Sequence, residues 1–198
     1  MKSFLMFAAV LPLLASAHEV RQQGPHVHGQ ANVQIAVDGN VVDVRLQAPG
    51  MGILAFERPP ASDAETAELK RSISTLDSGK WVVLPQAAGC SMISHEVKTD
   101  GFSTGSAAAH DHDGHDDHAG HDHAGHDHSG HDHASHHHAG FEAAIQFRCR
   151  DASKLTHVHI ELAAQFPNLH QTIVESATAL GQNRVQLEGQ QRRVELKR

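Results

Sequence analysis

Residues 31–46 read Ala31-Asn32-Val33-Gln34-Ile35-Ala36-Val37-Asp38-Gly39-Asn40-Val41-Val42-Asp43-Val44-Arg45-Leu46. Apolar side chains recur at every second position on both sides of Asp38-Gly39, the period of a strand with one covered face. A two-residue turn at Asp38-Gly39 sets Val37 opposite Asn40, Ile35 opposite Val42, Val33 opposite Val44 and Ala31 opposite Leu46. In that register every apolar residue lands on one face, so the segment is expected to be a hairpin with its other face in water.

The same alternation returns downstream. Phe141, Ala143, Ile145 and Phe147 lead into Cys149, and Val158, Ile160 and Leu162 follow. Weaker strands are expected at Trp81–Leu84, Cys90–Lys98 and around Ile173-Val174, with a terminal hairpin from Val185–Leu187 and Val194–Leu196. Between the first hairpin and Trp81 the period changes. After Pro59-Pro60, Ser62 with Glu65 three residues on forms a capping box, Leu69, Ile73 and Leu76 make one apolar stripe, and Gly79 stops the helix. A second, short helix fits Ala163–Leu169. Six to eight short strands and one good helix predict an α+β fold, an antiparallel sheet covered by helix on one face. One domain over residues 30–198 is expected.

At the N-terminus, Lys2, the apolar run Phe4–Leu14 and Ala15-Ser16-Ala17 form a secretory signal peptide over residues 1–17, with His18 as the mature N-terminus. That places the protein in the periplasm or outside the cell, without a lipid anchor, since no cysteine follows the cleavage site. Residues 18–29 are polar and aperiodic and are expected to be a mobile arm. The 198-residue chain has just two cysteines, Cys90 and Cys149. In an exported protein such a pair more often forms a disulfide than serves as thiols or ligands. A net charge of −7 and one Trp without any Tyr argue against nucleic acid, an anionic membrane or a deep aromatic pocket.

Histidine numbers 20, far above ordinary composition. Thirteen lie between residues 110 and 138: His110, His112, His115, His118, His121, His123, His126, His128, His131, His133, His136, His137 and His138. Seven Asp accompany them, without Lys, Arg or any apolar residue larger than Ala. The repeat, as in His121-Asp122-His123-Ala124-Gly125, has nothing to bury, so residues 103–139 are expected to be a disordered loop inserted between two strands. A solubilising acidic loop gains nothing from imidazole. Metal binding explains both residue types, because neutral imidazole ligates Zn, Ni, Cu or Co and Asp orients it from behind. At four ligands per ion the tract holds about three ions, with moderate affinity and ready exchange.

Outside the tract, His26 and His28 repeat the H-x-H spacing on the arm, and His18 adds an imidazole beside an α-amine. With Val158, Ile160 and Leu162 facing the core, His157, His159 and Glu161 share the opposite face, as a metal half-site or as a solvated polar face. His95, in phase with Ile93 and Val97, is expected to be a buried structural histidine, and His170 a surface one. Three ligands with an open position also describe a hydrolytic zinc. No H-E-x-x-H helix, nucleophile elbow or phosphate loop accompanies them, so a non-enzymatic role is favoured.

His26-Val27-His28-Gly29, Ala48-Pro49, Phe56-Glu57, Leu84-Pro85 leading to Cys90, Phe141-Glu142-Ala143, Phe147-x-Cys149, Phe166-Pro167 and Gly181-Gln182, in this order around a histidine-rich insertion, resemble the ZrgA-like family of zinc-regulated periplasmic proteins. The stretch Gln190–Arg198 departs from that pattern. The resemblance implies zinc as ligand, a role in zinc uptake under scarcity, and a ferredoxin-like α/β sandwich of unusual topology. The expected function is therefore a periplasmic zinc chaperone, buffer or concentrator that supplies zinc to an importer or its binding protein. The alternatives are nickel or copper homeostasis, the substrate-binding component of an ABC importer, and a zinc hydrolase.

Protons and metal compete for the same imidazole nitrogens. Zinc capacity is therefore expected to be high above about pH 7 and mostly lost by about pH 5.5, since unperturbed histidine titrates near 6.5. Zinc stoichiometry measured across that range checks it, and a flat profile excludes imidazole as principal ligand.

Overall fold

The computed structural model describes residues 27–103 and 139–196. The expected signal peptide, His18, His26, and the thirteen tract histidines with their expected disorder lie outside these residues.

β1 (Gln30–Asp38) and β2 (Val41–Pro49) form the expected hairpin, with a different turn. Val37 pairs with Val42, Ile35 with Val44 and Val33 with Leu46. Gly39 and Asn40 occupy the turn, and Gly39 has the positive φ of 56° that such a turn favours. The shift relative to the expected register is two residues, so every side chain keeps its face. Periodicity fixes faces, whereas turn chemistry alone chose between two registers of equal parity.

After the short helix α1 (Gly50–Ile53), the main helix α2 covers Asp63–Asp77. The Ser62 side chain accepts a hydrogen bond from the Glu65 backbone N–H at 3.2 Å, as a capping residue should. Leu76 is fully buried, and Leu69 and Ile73 pack against the core. Trp81, just before β3 (Val82–Val83), is also fully buried and donates its indole N–H to the Leu76 carbonyl at 2.9 Å. This ties the helix end to the core.

β4 (Cys90–Asp100) and β5 (Gly140–Cys149) flank the insertion. β6 (His157–Ile160), α3 (Leu162–Gln165), β7 (Gln171–Thr178), β8 (Gly181–Glu188) and β9 (Arg193–Glu195) follow. Six strands form one sheet in the order β4-β5-β2-β1-β7-β8, and β3-β6-β9 form a second. The inner face of the large sheet carries Val33, Ile35, Val42, Val44, Leu46, Phe141, Ala143, Ile145 and Val174, all buried. Val82, Val158, Ile160 and Val194 from the small sheet join them in one core.

This corrects the expected α+β class and the ferredoxin-like sandwich. Among the described residues 47 % are strand and 21 % helix. The large sheet is mixed, because β1 and β7 run parallel. A ferredoxin-like sandwich covers its sheet with two crossover helices. Here only α2 has a stripe long enough, and the small sheet supplies the remaining cover. The expected terminal hairpin is also absent: β8 pairs with β7, and β9 with β6. No described helix is long and apolar enough to cross a membrane.

Cys90 and Cys149 are cross-strand partners joined by a disulfide. Closing a loop of about 60 residues in the unfolded chain is worth about 4 kcal/mol on the chain-entropy model. Replacing both cysteines by serine is expected to lower the unfolding free energy in urea by about that amount, with the strand signal in circular dichroism retained.

Candidate metal centre

β1 and β7 begin, and β2 and β4 end, at the end of the large sheet where β5 starts: Gln30 pairs with Gln171, and Gly140 pairs with both Pro49 and Asp100. The insertion therefore leaves and re-enters the fold beside the point where the N-terminal arm joins β1. Both roots are held. Phe102 is buried against Phe56 and Phe141, with ring centroids 6.2 and 5.0 Å away. Ala139 is buried and its carbonyl accepts the Gly50 N–H at 2.7 Å. A Cβ on Gly50 would lie 2.9 Å from both the Ala139 oxygen and Glu57 Cγ, so only glycine allows this approach.

Glu57 stands in this junction. Its side chain is 13 % exposed, against 64 % for His28. One carboxylate oxygen accepts the Met51 N–H at 3.1 Å, and the other lies 3.2 Å from His28 Nε2. The cation next in sequence is engaged with another carboxylate: Arg58 makes two hydrogen bonds of 2.8 Å to Glu65 and lies over the Phe56 ring. Hydrogen bonding from Arg58, then from the Ala61 N–H, holds the Glu65 carboxyl down at about 2.

His170 belongs to the same end of the sheet. Its backbone N–H and that of Gln171 both donate to the Gly29 carbonyl, at 2.8 and 3.1 Å. Gly29 has φ +75°, and a Cβ there would meet the His170 ring at 3.0 Å. His170 is exposed, as expected of a surface residue.

The second histidine pair lies on the small sheet. His157 and His159 share one face, with ring centroids 5.1 Å apart. His157 Nδ1 is 2.7 Å from Thr156 Oγ1, while His159 Nε2 is buried without a hydrogen-bond partner among the described residues. Glu161 does not continue their row. β6 ends at Ile160, and Glu161 turns to φ −95°, ψ 21° as the residue before α3. Its carboxylate pairs with Arg192 at 2.6 Å. Across the strand His157 faces Glu195 and His159 faces Arg193. Burial first, then Arg193 and His159, push the His157 imidazole below its ordinary range, against an opposing pull from Glu195. Of these causes, the Arg193 charge would oppose a bound cation as it opposes imidazolium.

His95 corrects its expectation. It is half exposed and pairs with Asp77 at 2.7 Å. β4 is an edge strand, so sharing the parity of the inner face does not bury a residue there. No group of three or more His, Cys, Asp or Glu side chains among the described residues is already arranged around a metal position. Sequence spacing does not single out Glu57. A lone glutamate after Phe56 has no ligand pattern, and only its place against the insertion root marks it.

The scaffold brings the roots of the histidine-bearing segments together at one end of the large sheet. The family model described as ZrgA family zinc uptake protein matches residues 25–196, and the chain belongs to that family. This assigns the protein a role in zinc uptake. A search of curated proteins returns no match.

The His157 environment can be measured. Its imidazole is expected to titrate below the usual 6.5 by NMR, and Arg193→Ala to raise it, by removing a cation and releasing Glu195. The folded value is depressed, so the unfolded chain binds more protons in that window. This histidine's stabilising contribution is present above about pH 6.5 and declines as pH falls toward the folded value.

Proposed function

We propose that the protein is a periplasmic zinc concentrator and carrier, which gathers zinc on residues 110–138 under zinc limitation and hands it to an importer or to that importer's binding protein. The observation that supports this most is the common anchoring of both insertion roots and His28 beside Glu57. Zinc is the cargo, about two to three exchangeable ions per chain at four ligands each, and the role is non-enzymatic. Membership of a zinc uptake family favours zinc over nickel or copper as that cargo.

A tract of interchangeable imidazoles suits this task. Any four of its thirteen histidines offer neutral nitrogen donors, so an ion can move between ligand sets by exchanging one donor at a time. A catalytic zinc needs a fixed set of ligands and an oriented second shell, and the tract's composition offers no such order.

Excising residues 110–138 is expected to leave the fold intact, because Asp100 and Gly140 already pair across the gap and loop length changes closure cost by only about 0.6 kcal/mol per doubling. Zinc capacity, measured by equilibrium dialysis with metal analysis, is expected to fall by about two to three ions. Undiminished capacity in a folded variant refutes the role given to the tract.

A further inference from the structure

We propose that β4 is a self-complementary docking edge, through which two copies of the chain pair antiparallel about a two-fold axis at Val97. The partner is a second copy of this chain, and no metal takes part in the contact.

The edge itself is the first support. β4 is the longest strand among the described residues and closes one side of the large sheet, with β5 as its one ladder partner there. Every residue from Ser91 to Asp100 is exposed except Val97, which is half-buried. Alternate backbone N–H and C=O groups face away from β5 and are open to another strand. Met92 and Ile93, 40 and 45 % exposed, add apolar surface at one end. The opposite edge is less free: Asn183 Nδ2 in β8 donates to the Glu195 carbonyl at 3.3 Å, which sets β9 against it.

Register is the second support. The ladder with β5 is irregular between Met92 and Ser94 and unbroken from Ser94 to Asp100. A bulge bends its strand and ends continuous pairing, so Ser94–Asp100 is the usable stretch. A two-fold axis perpendicular to the sheet keeps every side chain on its own face only when it passes through a residue. The middle residue of the stretch is Val97.

Charge is the third. With the axis at Val97, Glu96 of each copy stands opposite Lys98 of the other, and Ser94 opposite Asp100. Glu96 and Lys98 are both well exposed and lie 3.2 Å apart within the strand. In the ladder Lys98 faces Glu142 and Glu96 faces Ala144. The joined row therefore runs Glu142, Lys98, then Glu96 and Ala144 of the second copy, which gives Lys98 a second acidic neighbour. Moving the axis by one residue sets Glu96 against Glu96 or Lys98 against Lys98, and like charges directly opposite repel. Complementarity and the extent of the regular stretch select the same centre.

The pairing joins two large sheets into one continuous sheet. Asp100, where β4 ends, lies three residues from the axis in each copy. The two insertion roots then stand about 20 Å apart on one assembly. A ladder of this length is at the small end of specific interfaces, so association is reversible and depends on concentration.

The test is sedimentation equilibrium of residues 18–198 with a chelator present, so that metal cannot bridge two chains. The wild-type average mass is expected to rise from monomer toward dimer as concentration increases through the micromolar range. Glu96→Lys alone, or Lys98→Glu alone, places like charges opposite each other and is expected to weaken association roughly tenfold or more. An equimolar mixture of these two single variants has opposite charges in both cross-strand pairs and is expected to regain wild-type association. Both positions are solvated, so each variant is expected to keep the wild-type circular dichroism. A monomer at every concentration overturns the proposal and leaves the edge to another occupant, such as an extended strand of a different protein. A dimer indifferent to both reversals, or a mixture that fails to recover, also overturns it, by placing the contact elsewhere. None of these outcomes bears on the zinc-handling reading, because metal is withheld.

Discussion

The pairing of β4 with β5 is the constraint on which the rest depends. These strands are neighbours in space and are separated in the chain by the whole insertion. Their ladder runs from Cys90–Cys149 to Asp100–Gly140, with an irregularity between Met92 and Ser94. Loop-closure entropy opposes such a hairpin, and two features offset it. The disulfide closes the far end covalently. At the near end Phe102 packs on Phe56 and Phe141, and Ala139 bonds Gly50. β5 in turn pairs with β2 along its whole length, so the hairpin that accommodates the insertion is also the one that completes the inner face.

That arrangement explains why much of the fold is legible in sequence. β1, β2 and β5 each bury alternate residues, and a covered face imprints the pattern directly: Val42, Val44 and Leu46 are buried, while Arg45 between them is exposed. The α2 cap and stripe are equally clear, since Ser62, Glu65 and Leu76 act within a few turns of one another. Trp81, the single Trp of the chain, is fully buried beside the end of α2. The disulfide is legible because the chain has just two cysteines behind an N-terminus that reads as an export signal.

What the sequence hides is long-range. Nothing local to Gln171–Thr178 states that β7 lies parallel to β1, and β9 is three residues long. The small sheet cannot be told from extra edge strands, because a two- or three-residue strand has too few alternations to declare a face. His95 shows the limit of parity on an edge strand. Glu161 shows a different limit. Alternation from His157 to His159 predicts a third aligned side chain only if the strand continues, and here a helical turn begins instead. The setting of Glu57 is invisible because the groups around it, His28 and the root at Ala139, come from other parts of the chain.

Anchoring both segments at one sheet end has a consequence that does not depend on how the tract is arranged. A chain extends at most about 3.4 Å per residue, so an ion bound at His121 lies within roughly 60 Å of its root at Ala139. One ion confined to a sphere of that radius is at a local concentration of about 2 mM or more, far above free zinc in a starved compartment. On the proposed reading, a partner's ligands presented beside the root compete for tract-bound zinc before bulk solvent does. Rooting the insertion at the opposite end, beside the disulfide, would leave its composition unchanged and lengthen every transfer by the full height of the sheet. On the proposed reading, position in the fold turns a store of weakly held zinc into a supply directed at one place.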